Sequence, residues 1–303
     1  MQKTLLIFNP MADRGRSGQQ ASDLRAMVDE MGGADWQGTE YPAHATEIAA
    51  QAALQGYQTI VALGGDGTVH EIVNGLMKIE AAHRPRLGIV PMGSGNDFAG
   101  GAGIQMNQQE AMRRVFTGTP KPVDVARIQD GTGRTEYFDN TLGIGFDAAI
   151  NIRSRSIQSL QGFMMYLTAT LLTIARDFAA PHMKVTYDGG TLDEPLMMIT
   201  VGNGPREGGG FLTTPESKMD DGLLDFVYIR PVSKVRMLQL VPKVMNGTHV
   251  KEKEVKIAQT TKLVVDADRA LPIHADGELF APYEADVRHV EITLVPGAIN
   301  VIV

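Results

Sequence analysis

Short apolar runs alternate with helix-like segments through the first 120 residues, and this alternation constrains the fold more than any other feature of the chain. The apolar runs cover residues 3–8, 36–41, 58–63 and 86–91. Helix-forming sequence occupies 17–31, 45–54, 69–77 and a stretch that ends at about 116. Strands that alternate with helices form a parallel sheet with helices on both faces. We therefore predict an N-terminal parallel α/β domain.

The sequence changes character near Pro120. A hairpin is predicted around Asp130-Gly131, one long helix at about 151–178 and a last helix at 233–245. Many short strands separated by turn signals lie between and after these helices, which is typical of an antiparallel β-sandwich. The predicted domains are 1–120, α/β, and 121–295, all-β; whether a last strand near 296–303 returns to the first domain is left open.

Composition and charge exclude several classes of protein. The net charge of −7 and the pI of about 5.5 provide no global basic field for nucleic acid. The chain has no cysteine, so disulfides, thiolate zinc sites and thiol nucleophiles are excluded. The N-terminal apolar run is too short for a signal peptide, and the run at 163–175 is shorter than the ~18 residues that span a membrane. We expect a cytoplasmic protein.

Two glycine-rich loops follow predicted strands, "GGDGT" at 64–68 and "MGSGND" at 92–97. In a parallel sheet, ligands bind at the carboxyl ends of the strands. Glycine amides and a helix N-terminus form an anion site, so two such loops suggest a polyphosphate. No Walker A lysine is present, and Asp66 can hold Mg²⁺ through water. The alternative is that both loops are plain tight turns.

The motifs "GGDGTVHEIVNGL" and "PMGSGNDFA" resemble the diacylglycerol kinase catalytic domain family, which includes bacterial lipid kinases and sphingosine kinases. "VDVARI", "GIGFDA", "KMDDGLLD" and "HADGE" follow in the order found in its bacterial members. The GGDGT loop is also similar to that of NAD kinases and phosphofructokinases. The resemblance implies an ATP-binding first domain and a lipid-substrate sandwich domain. It implies a Mg²⁺-dependent kinase of phospholipid biosynthesis that transfers the ATP γ-phosphate to a lipid hydroxyl.

The resemblance also implies which residues bind the nucleotide. The alignment is loose at Thr39, and Ser94 stands where many relatives have threonine. The nucleotide-binding positions implied in this chain are Asn9, Thr39, Gly64, Gly65, Asp66, Gly67, Thr68, Glu71, Gly93, Ser94 and Asn96.

Catalytic and metal-binding roles follow from the same resemblance. Glu278 of "DGE" matches the proposed base, and its carboxylate can accept the proton of a lipid hydroxyl. Asp66 is the second catalytic candidate. A structural Mg²⁺ is implied at the side chain of Asp221 and the carbonyls of Lys218 and Leu223. Water-linked contact with the active-site Mg²⁺ is implied for the side chains of Asp97 and Asp124. The alternative for each carboxylate is an ordinary turn or cap.

The acceptor is the least constrained part of the prediction. Diacylglycerol, converted to phosphatidic acid, is the first expectation. Sphingoid bases, phosphatidylglycerol and a soluble acceptor such as NAD are the alternatives, followed by a nucleotide-binding module without catalysis. The apolar segment 159–178 suggests a helix packed on the sandwich or a wall of an acyl-chain cleft. The basic segment 230–256 suggests a solvated face or transient membrane contact. Whether the protein forms a homodimer is left open.

Overall fold

The computed structural model describes residues 3–10, 17–157, 159–176 and 179–303, with the backbone alone for 17–21. The chain forms two compact units. Unit 1 is Met1–Asp124 together with Gly297–Val303, and unit 2 is Val125–Pro296.

Unit 1 is a parallel sheet with helices between its strands. Its strands are β1 (Thr4–Phe8), β2 (Asp35–Gly38), β3 (Thr59–Gly64) and β4 (Arg86–Pro91), in the order β2-β1-β3-β4. Its helices are α1 (Ser17–Glu30), α2 (His44–Leu54), α3 (Asp66–Leu76), α4 (Asp97–Gly101) and α5 (Gln108–Thr117). The predicted α/β architecture is therefore confirmed.

The strand β3 and the helix α3 show why this part of the chain folds as it does. Every residue of β3 is buried, as a central parallel strand requires. In α3 the buried residues Val69, Ile72, Val73 and Leu76 follow helical spacing and face the core. The helix begins at Asp66 and not at the predicted residue 69, because the glycine loop turns directly into the first helical turn.

The described part of unit 2 has two antiparallel strand arrangements and three α-helices. The strands are β5 (Pro120–Asp130), which begins in unit 1, β6 (Thr135–Phe138), β7 (Thr141–Gly145), β8 (His182–Tyr187), β9 (Gly190–Pro195), β10 (Met198–Gly202), β11 (Leu224–Ile229), β12 (Val255–Thr260), β13 (Lys262–Ala267), β14 (Ile273–Ala275), β15 (Glu278–Ala281) and β16 (His289–Ile302). The helices are α6 (Phe146–Ser154), α7 (Gly162–Arg176) and α8 (Lys234–Met245).

The predicted sandwich is confirmed. One sheet has the order β12-β11-β10-β7-β14-β15, and the other contains β16-β13-β8-β9 with the hairpin β5-β6. Buried side chains from both sheets, such as Ile144, Phe226, Val265 and Ile292, form one core. A second cluster packs α6, α7 and α8 on residues such as Val227 of the six-stranded sheet.

Two features of unit 2 bear on the predictions. The hairpin around Asp130-Gly131 is confirmed, because β5 pairs with β6 in antiparallel register. The single long helix predicted at 151–178 is wrong. Two helices, α6 and α7, occupy this region, and the second begins at Gly162 with a φ of 54°. A positive φ interrupts helical backbone, and the polar sequence before Gly162 contains no proline that would have marked the break.

The strand β16 runs from unit 2 into unit 1. Its first residues pair with β13, for example Ile292 with Leu263. Its last residues belong to unit 1, where Val301 pairs in parallel with Leu87 of β4. The final residues of the chain thus complete the parallel sheet.

Candidate active site

The strands of unit 1 end together at one edge of the sheet. Phe8 of β1 is in register with Gly38 of β2 and with Leu63 of β3, and Gly64 is in register with Pro91 of β4. The residues that follow these strands therefore lie at the same edge. They include Asn9, Thr39 and the two glycine loops.

Backbone hydrogen bonds fix the chain just beyond these strand ends. The amide of Thr39 donates to the carbonyl of Phe8 over 2.9 Å, and the amide of Met92 donates to the carbonyl of Gly64 over 2.8 Å. Thr39 thus lies beside Phe8, the last residue of β1, and Asn9 follows Phe8 in the chain. Met92 begins the second glycine loop directly beside the first.

The two glycine loops approach each other backbone to backbone. A Cβ atom built on Gly93 would lie 2.5 Å from the Cα of Gly65, and one built on Gly65 would lie 3.0 Å from the Cα of Gly93. Real Cβ atoms do not approach other heavy atoms to 2.5 Å. Glycine is therefore required where the loops meet, and the pair forms one backbone surface rather than two independent turns.

Asn96 closes the second loop. Its Oδ1 accepts from the amide of Gly93 over 2.9 Å, and its Nδ2 donates to the carbonyl of Gly93 over 2.8 Å. Its φ of 53° places it in the left-handed region, which asparagine tolerates. The side chain of Asn96 thus shapes the loop, while Ser94 at the tip is exposed.

Asp66 lies where the first loop turns into α3. Its Oδ1 accepts from the amide of Phe98 in α4 over 3.1 Å, and its side chain is partly exposed. The helix N-cap is Gly65, which provides no side-chain cap. A glycine loop and an uncapped N-terminus suit an anion. A carboxylate beside that anion needs a cation between them, and carboxylate oxygen is a ligand that Mg²⁺ accepts.

Gly67 and Thr68 lie in the first turn of α3. Thr68 is buried, and a Cβ on Gly64 would lie 2.3 Å from its Oγ1. Gly64 is therefore the residue that admits the Thr68 hydroxyl against the strand end.

Glu71 has a contact that the sequence did not indicate. Its two carboxylate oxygens accept from the amides of Ala43 and Ala45, each over 3.0 Å. The hydroxyl of Thr46 donates to the Glu71 carbonyl over 2.8 Å. Ala43 is the N-cap residue of α2, Ala45 lies in its first turn, and the N-cap provides no side-chain cap. The carboxylate of Glu71 therefore caps α2, as a negative charge at a helix N-terminus does.

Asp97 and Asp124 are both buried. Oδ1 of Asp124 accepts from the amide of Gly297 over 2.7 Å. Among the described residues, Asp66, Asp97 and Asp124 do not form a group whose oxygens all lie within 4.8 Å of one another. Three carboxylates are thus not gathered for direct ligation of one ion. Contact with Mg²⁺ through water, which the resemblance implies, does not require such a group.

The hairpin β14-β15 of unit 2 carries Glu278. Its two turn residues, Asp276 and Gly277, have φ values of 51° and 82°, which defines a type I′ turn. The carboxylate of Asp276 accepts from three backbone amides, those of Asp139, Asn140 and Thr141, over 2.9, 2.9 and 3.0 Å. These three hydrogen bonds anchor the turn to the backbone of residues 139–141.

Glu278 itself is presented to solvent from this turn. Its side chain is 49% exposed, and its Oε2 accepts from Nη2 of Arg155 over 2.9 Å. The same Nη2 donates to the carbonyl of Gly277 over 2.9 Å. An exposed carboxylate on a fixed backbone, held by one guanidinium, is a geometry that suits a general base.

The predicted structural metal site lies in one exposed loop. Oδ1 of Asp221 accepts from the amide of Leu223 over 3.1 Å, so the turn also stabilises itself. Nearby, Asp225 is buried. Burial raises the pKa of Asp225 above its ordinary value, and the charges of Asp221 and Glu216 raise it further. An exposed carboxylate with backbone carbonyls nearby, in a locally negative loop, fits a hard cation such as Mg²⁺.

Three of the seven lysines and arginines in the basic segment 230–256, namely Arg230, Arg236 and Lys243, form ion pairs. Arg230 pairs with Glu194 at 2.9 Å, and Arg236 pairs with Glu252 and Glu254. Hydrogen bonds that Arg236 donates to Glu254 and Glu252 raise the pKa of Arg236 above its ordinary value. These cations hold the fold of unit 2 together and are less available to an anionic surface than the sequence suggested.

A buried cluster in unit 2 has no counterpart in the sequence-based prediction. Asp147, Glu207 and His274 are the described residues whose potential ligand atoms gather within 4.8 Å of one another. Burial alone would raise the pKa of Asp147, but His274, Glu207 and Thr200 outweigh it and hold that pKa below its ordinary value. No spacing rule could find this group, because about 60 residues separate each member from the next.

Comparison with known families agrees with the fold and with these loops. Residues 3–128 match the family described as "Diacylglycerol kinase catalytic domain". Residues 140–303 match the family described as "YegS C-terminal NAD kinase beta sandwich-like domain". The second match alone covers more than half of the chain. The chain belongs to the diacylglycerol kinase family, as the motifs indicated, and it is a lipid kinase.

Relatives match over most of their own length. A "Probable lipid kinase YegS-like" from Chromohalobacter salexigens is 34% identical over 80% of this chain and 75% of its own. A "Diacylglycerol kinase" from Mycobacterium tuberculosis is 29% identical over 99% of this chain and 94% of its own. A solved Bacillus anthracis structure is 26% identical, with a TM-score of 0.80 over 99% of this chain and 95% of its own. The family implies ATP as the phosphoryl donor, typically a divalent metal, and a lipid substrate.

No helix in the described part of the chain is both long enough and apolar enough to span a membrane.

Proposed function

We propose that this protein transfers the γ-phosphate of ATP to the hydroxyl of diacylglycerol and forms phosphatidic acid. The main support for ATP as the donor is the close backbone contact between Gly65 and Gly93 at the carboxyl edge of a parallel sheet. The choice of diacylglycerol is supported by the Mycobacterium tuberculosis relative, which bears that name and aligns over nearly the whole chain.

The glycine loops and the start of α3 bind the phosphates in this proposal. Amides of the segment 64–68 donate to phosphate oxygens, and the α3 N-terminus favours their negative charge. Asn9, Thr39 and Ser94 line the same sheet edge and provide polar side chains to the nucleotide. Asp66 would help to hold Mg²⁺, which when bound would neutralise phosphate charge.

Glu278 accepts the proton during transfer. The lipid oxygen forms a bond to the γ-phosphorus while the bond between that phosphorus and the leaving oxygen of ADP breaks. The proton of the hydroxyl passes to the carboxylate of Glu278, and the leaving electron pair stays on ADP. Arg155 holds that carboxylate and the carbonyl of Gly277 in place before the reaction.

Contact with the lipid surface is proposed to be apolar rather than electrostatic. On α7 the side chains of Met164 and Leu171 are exposed, and on α8 those of Val235 and Leu238 are exposed. Nζ of Lys234 donates to the carbonyl of Ala175 over 2.6 Å and joins the start of α8 to the end of α7. Because nearby arginines are paired, added salt should change activity on vesicles only slightly. This contact is transient and peripheral.

A second candidate function is a kinase of another acceptor. The sandwich domain matches a family described as NAD kinase-like, and NAD kinases act on a soluble acceptor. The relative from Chromohalobacter salexigens leaves its lipid unnamed. A sphingoid base and phosphatidylglycerol are the lipid alternatives to diacylglycerol.

The test is a radiolabelled ATP assay with Mg²⁺ on the purified protein. The acceptors are diacylglycerol, monoacylglycerol, a sphingoid base and phosphatidylglycerol in mixed micelles, and NAD in solution. Labelled phosphatidic acid as the main product supports the proposal. Labelled NAD with no lipid product would replace it with the soluble-acceptor function, and a different labelled lipid would correct the acceptor alone.

A further inference from the structure

The cluster Asp147, Glu207 and His274 lies beneath the turn that carries Glu278. His274 is 1% exposed, and its Nε2 is 3.7 Å from Oδ2 of Asp147 and 3.8 Å from Oε2 of Glu207. This nitrogen has no direct hydrogen-bond partner. Thr200 donates to Oδ2 of Asp147 over 2.7 Å, and Thr141 donates to Oε2 of Glu207 over 3.0 Å. Two hydroxyls therefore fix both carboxylates around the imidazole.

The other nitrogen of His274 decides which tautomer is present. The amide of Gly277 lies 3.3 Å from Nδ1 and can only donate to it. Nδ1 must therefore carry a lone pair, and the proton of the neutral ring lies on Nε2. A protonated Nε2 cannot ligate a metal ion, so the tautomer argues against a metal among these three residues. This tautomer places the Nε2–H of His274 between the carboxylates of Asp147 and Glu207, whose negative charges attract it.

This contact connects the buried cluster to the turn. Gly277 is held at its amide by His274 and at its carbonyl by Asn151, whose Nδ2 donates over 2.8 Å. Its neighbour Asp276 adopts a φ of 51°, which costs roughly 1 kcal/mol or more for a residue other than glycine. Aspartate tolerates this conformation better than most residues, and the contacts of Gly277 add to the three that the Asp276 carboxylate makes.

A gain in stability is a weak explanation for the cluster. Replacing buried charged groups by apolar side chains of similar volume is often neutral or stabilising. Two carboxylates and an imidazole under one turn are therefore better explained by what they hold in place. The backbone that they hold continues directly into Glu278.

We propose that His274 is a positioning residue for Glu278: Asp147 and Glu207 fix its ring as the Nε2–H tautomer, and its Nδ1 holds the amide of Gly277. Glu278 is thereby aimed for proton transfer. The inference rests on the proposed role of Glu278 as the base.

Selective ¹⁵N labelling of histidine tests the geometry without any activity. The signal of His274 is identified among the seven histidines by its loss in His274→Gln. We expect Nδ1 unprotonated and Nε2 protonated. A protonated Nδ1, or a stoichiometric transition metal bound to the wild-type protein and absent from His274→Gln, would overturn the proposal.

Two substitutions of His274 separate the contact of its Nε2–H with the carboxylates from the contact of its Nδ1 with Gly277. The amide nitrogen of glutamine reproduces the Nε2–H donor but not the Nδ1 acceptor, whereas Oδ1 of asparagine reproduces the acceptor but not the donor. Displacing a reacting group by about 1 Å can cost roughly 10²-fold in rate. We therefore expect His274→Gln to lower kcat about 10- to 100-fold with the KM for ATP unchanged, and His274→Asn to retain more of the rate.

His249→Gln is the matched control. His249 is also 1% exposed in unit 2, and its Nε2 is 3.1 Å from the carbonyl of Thr213, away from the turn. Its replacement should lower Tm without lowering kcat. Equal kcat values for His274→Gln and His249→Gln, with similar Tm values, would reduce His274 to a packing residue.

A double-mutant cycle tests whether His274 acts through Glu278. If it does, His274→Gln has no further effect on kcat in the Glu278→Gln background. Additive losses would overturn the positioning role. Failure of the proposed function is a separate result, since the wild-type protein would then phosphorylate no lipid while the ¹⁵N measurement still reports the tautomer.

Discussion

The contact between Gly93 and Gly65 predicts that Gly93→Ala disables ATP binding. The added Cβ would lie 2.5 Å from the Cα of Gly65 and 2.9 Å from Oδ1 of Asn96, whereas ordinary contact begins at 3.4 Å. The two loops must therefore separate by about 0.9 Å. Neither neighbour is the free end of a flexible side chain, since one is backbone and Asn96 is hydrogen-bonded to Gly93 itself.

The expected cost follows from this displacement. Overpacking a well-packed site costs about 1–3 kcal/mol, which lowers Tm by several degrees. Moving the phosphate-binding amides by nearly 1 Å should weaken their contacts with ATP. For reacting groups, a misplacement of that size costs about 10²-fold in rate. We expect a 10- to 100-fold rise in the dissociation constant of ATP, with the lipid dependence of the residual activity unchanged.

Calorimetric titration with a non-hydrolysable ATP analogue, together with a thermal melt, measures both effects. Gly131→Ala is the control, because its Cβ would meet the Cβ of His289 at 3.8 Å, an ordinary contact, and its φ is not positive. This control should bind the analogue as the wild type does. Binding by Gly93→Ala within twofold of the wild type, in a protein that melts normally, would refute the idea that the two loops act as one phosphate cradle.

Four further predictions concern carboxylates. Glu278→Gln should lower kcat by ~10²–10⁴ with ATP affinity unchanged, because a general base is lost; an unaltered kcat at saturating lipid would leave Glu278 as a turn residue. Asp66→Asn should abolish turnover yet keep Tm, since an amide oxygen can still accept from Phe98; a near-normal rate at saturating Mg²⁺ contradicts this. Asp221→Ala should remove a rise in Tm on adding Mg²⁺, and crystals grown in Mg²⁺ that show only water at Asp221 would disprove the site. Burial raises the pKa of Asp225, so the stability that its protonated form gives the folded protein is lost as pH rises through that pKa. Asp225→Asn should therefore raise Tm more at about pH 7 than at about pH 4, and equal changes at both pH values would contradict the raised pKa.

The sequence predicted the backbone of the candidate nucleotide site better than it predicted which groups the side chains there contact. Glycines between an apolar run and a helix determine a strand–loop–helix unit locally, so the loops at 64–68 and 92–97 could be placed at strand ends. The partner of Glu71 depends on how α2 packs beside α3, and it proved to be the α2 N-terminus. Asn96, similarly, bonds to its own loop.

The hairpin with Glu278 shows the same limit. The turn was readable from Asp276-Gly277, because both residues accept positive φ. The three amides that Asp276 binds lie about 135 residues earlier in the chain, and 60 to 67 residues separate successive members of the buried cluster. Such contacts depend on strand order, which local sequence does not encode.

The path of β16 has a consequence for the order in which the protein is made. The parallel sheet of unit 1, which carries the candidate nucleotide site, lacks a strand until residues 297–303 have left the ribosome, because Val301 pairs with Leu87. Residues 125–296 must be synthesised first, which takes on the order of ten to thirty seconds at typical rates. Throughout that interval the nascent first unit exposes one side of β4, an edge that can pair with another chain. The glycine loops are among the first functional elements to be synthesised, yet the sheet that supports them is among the last to be completed.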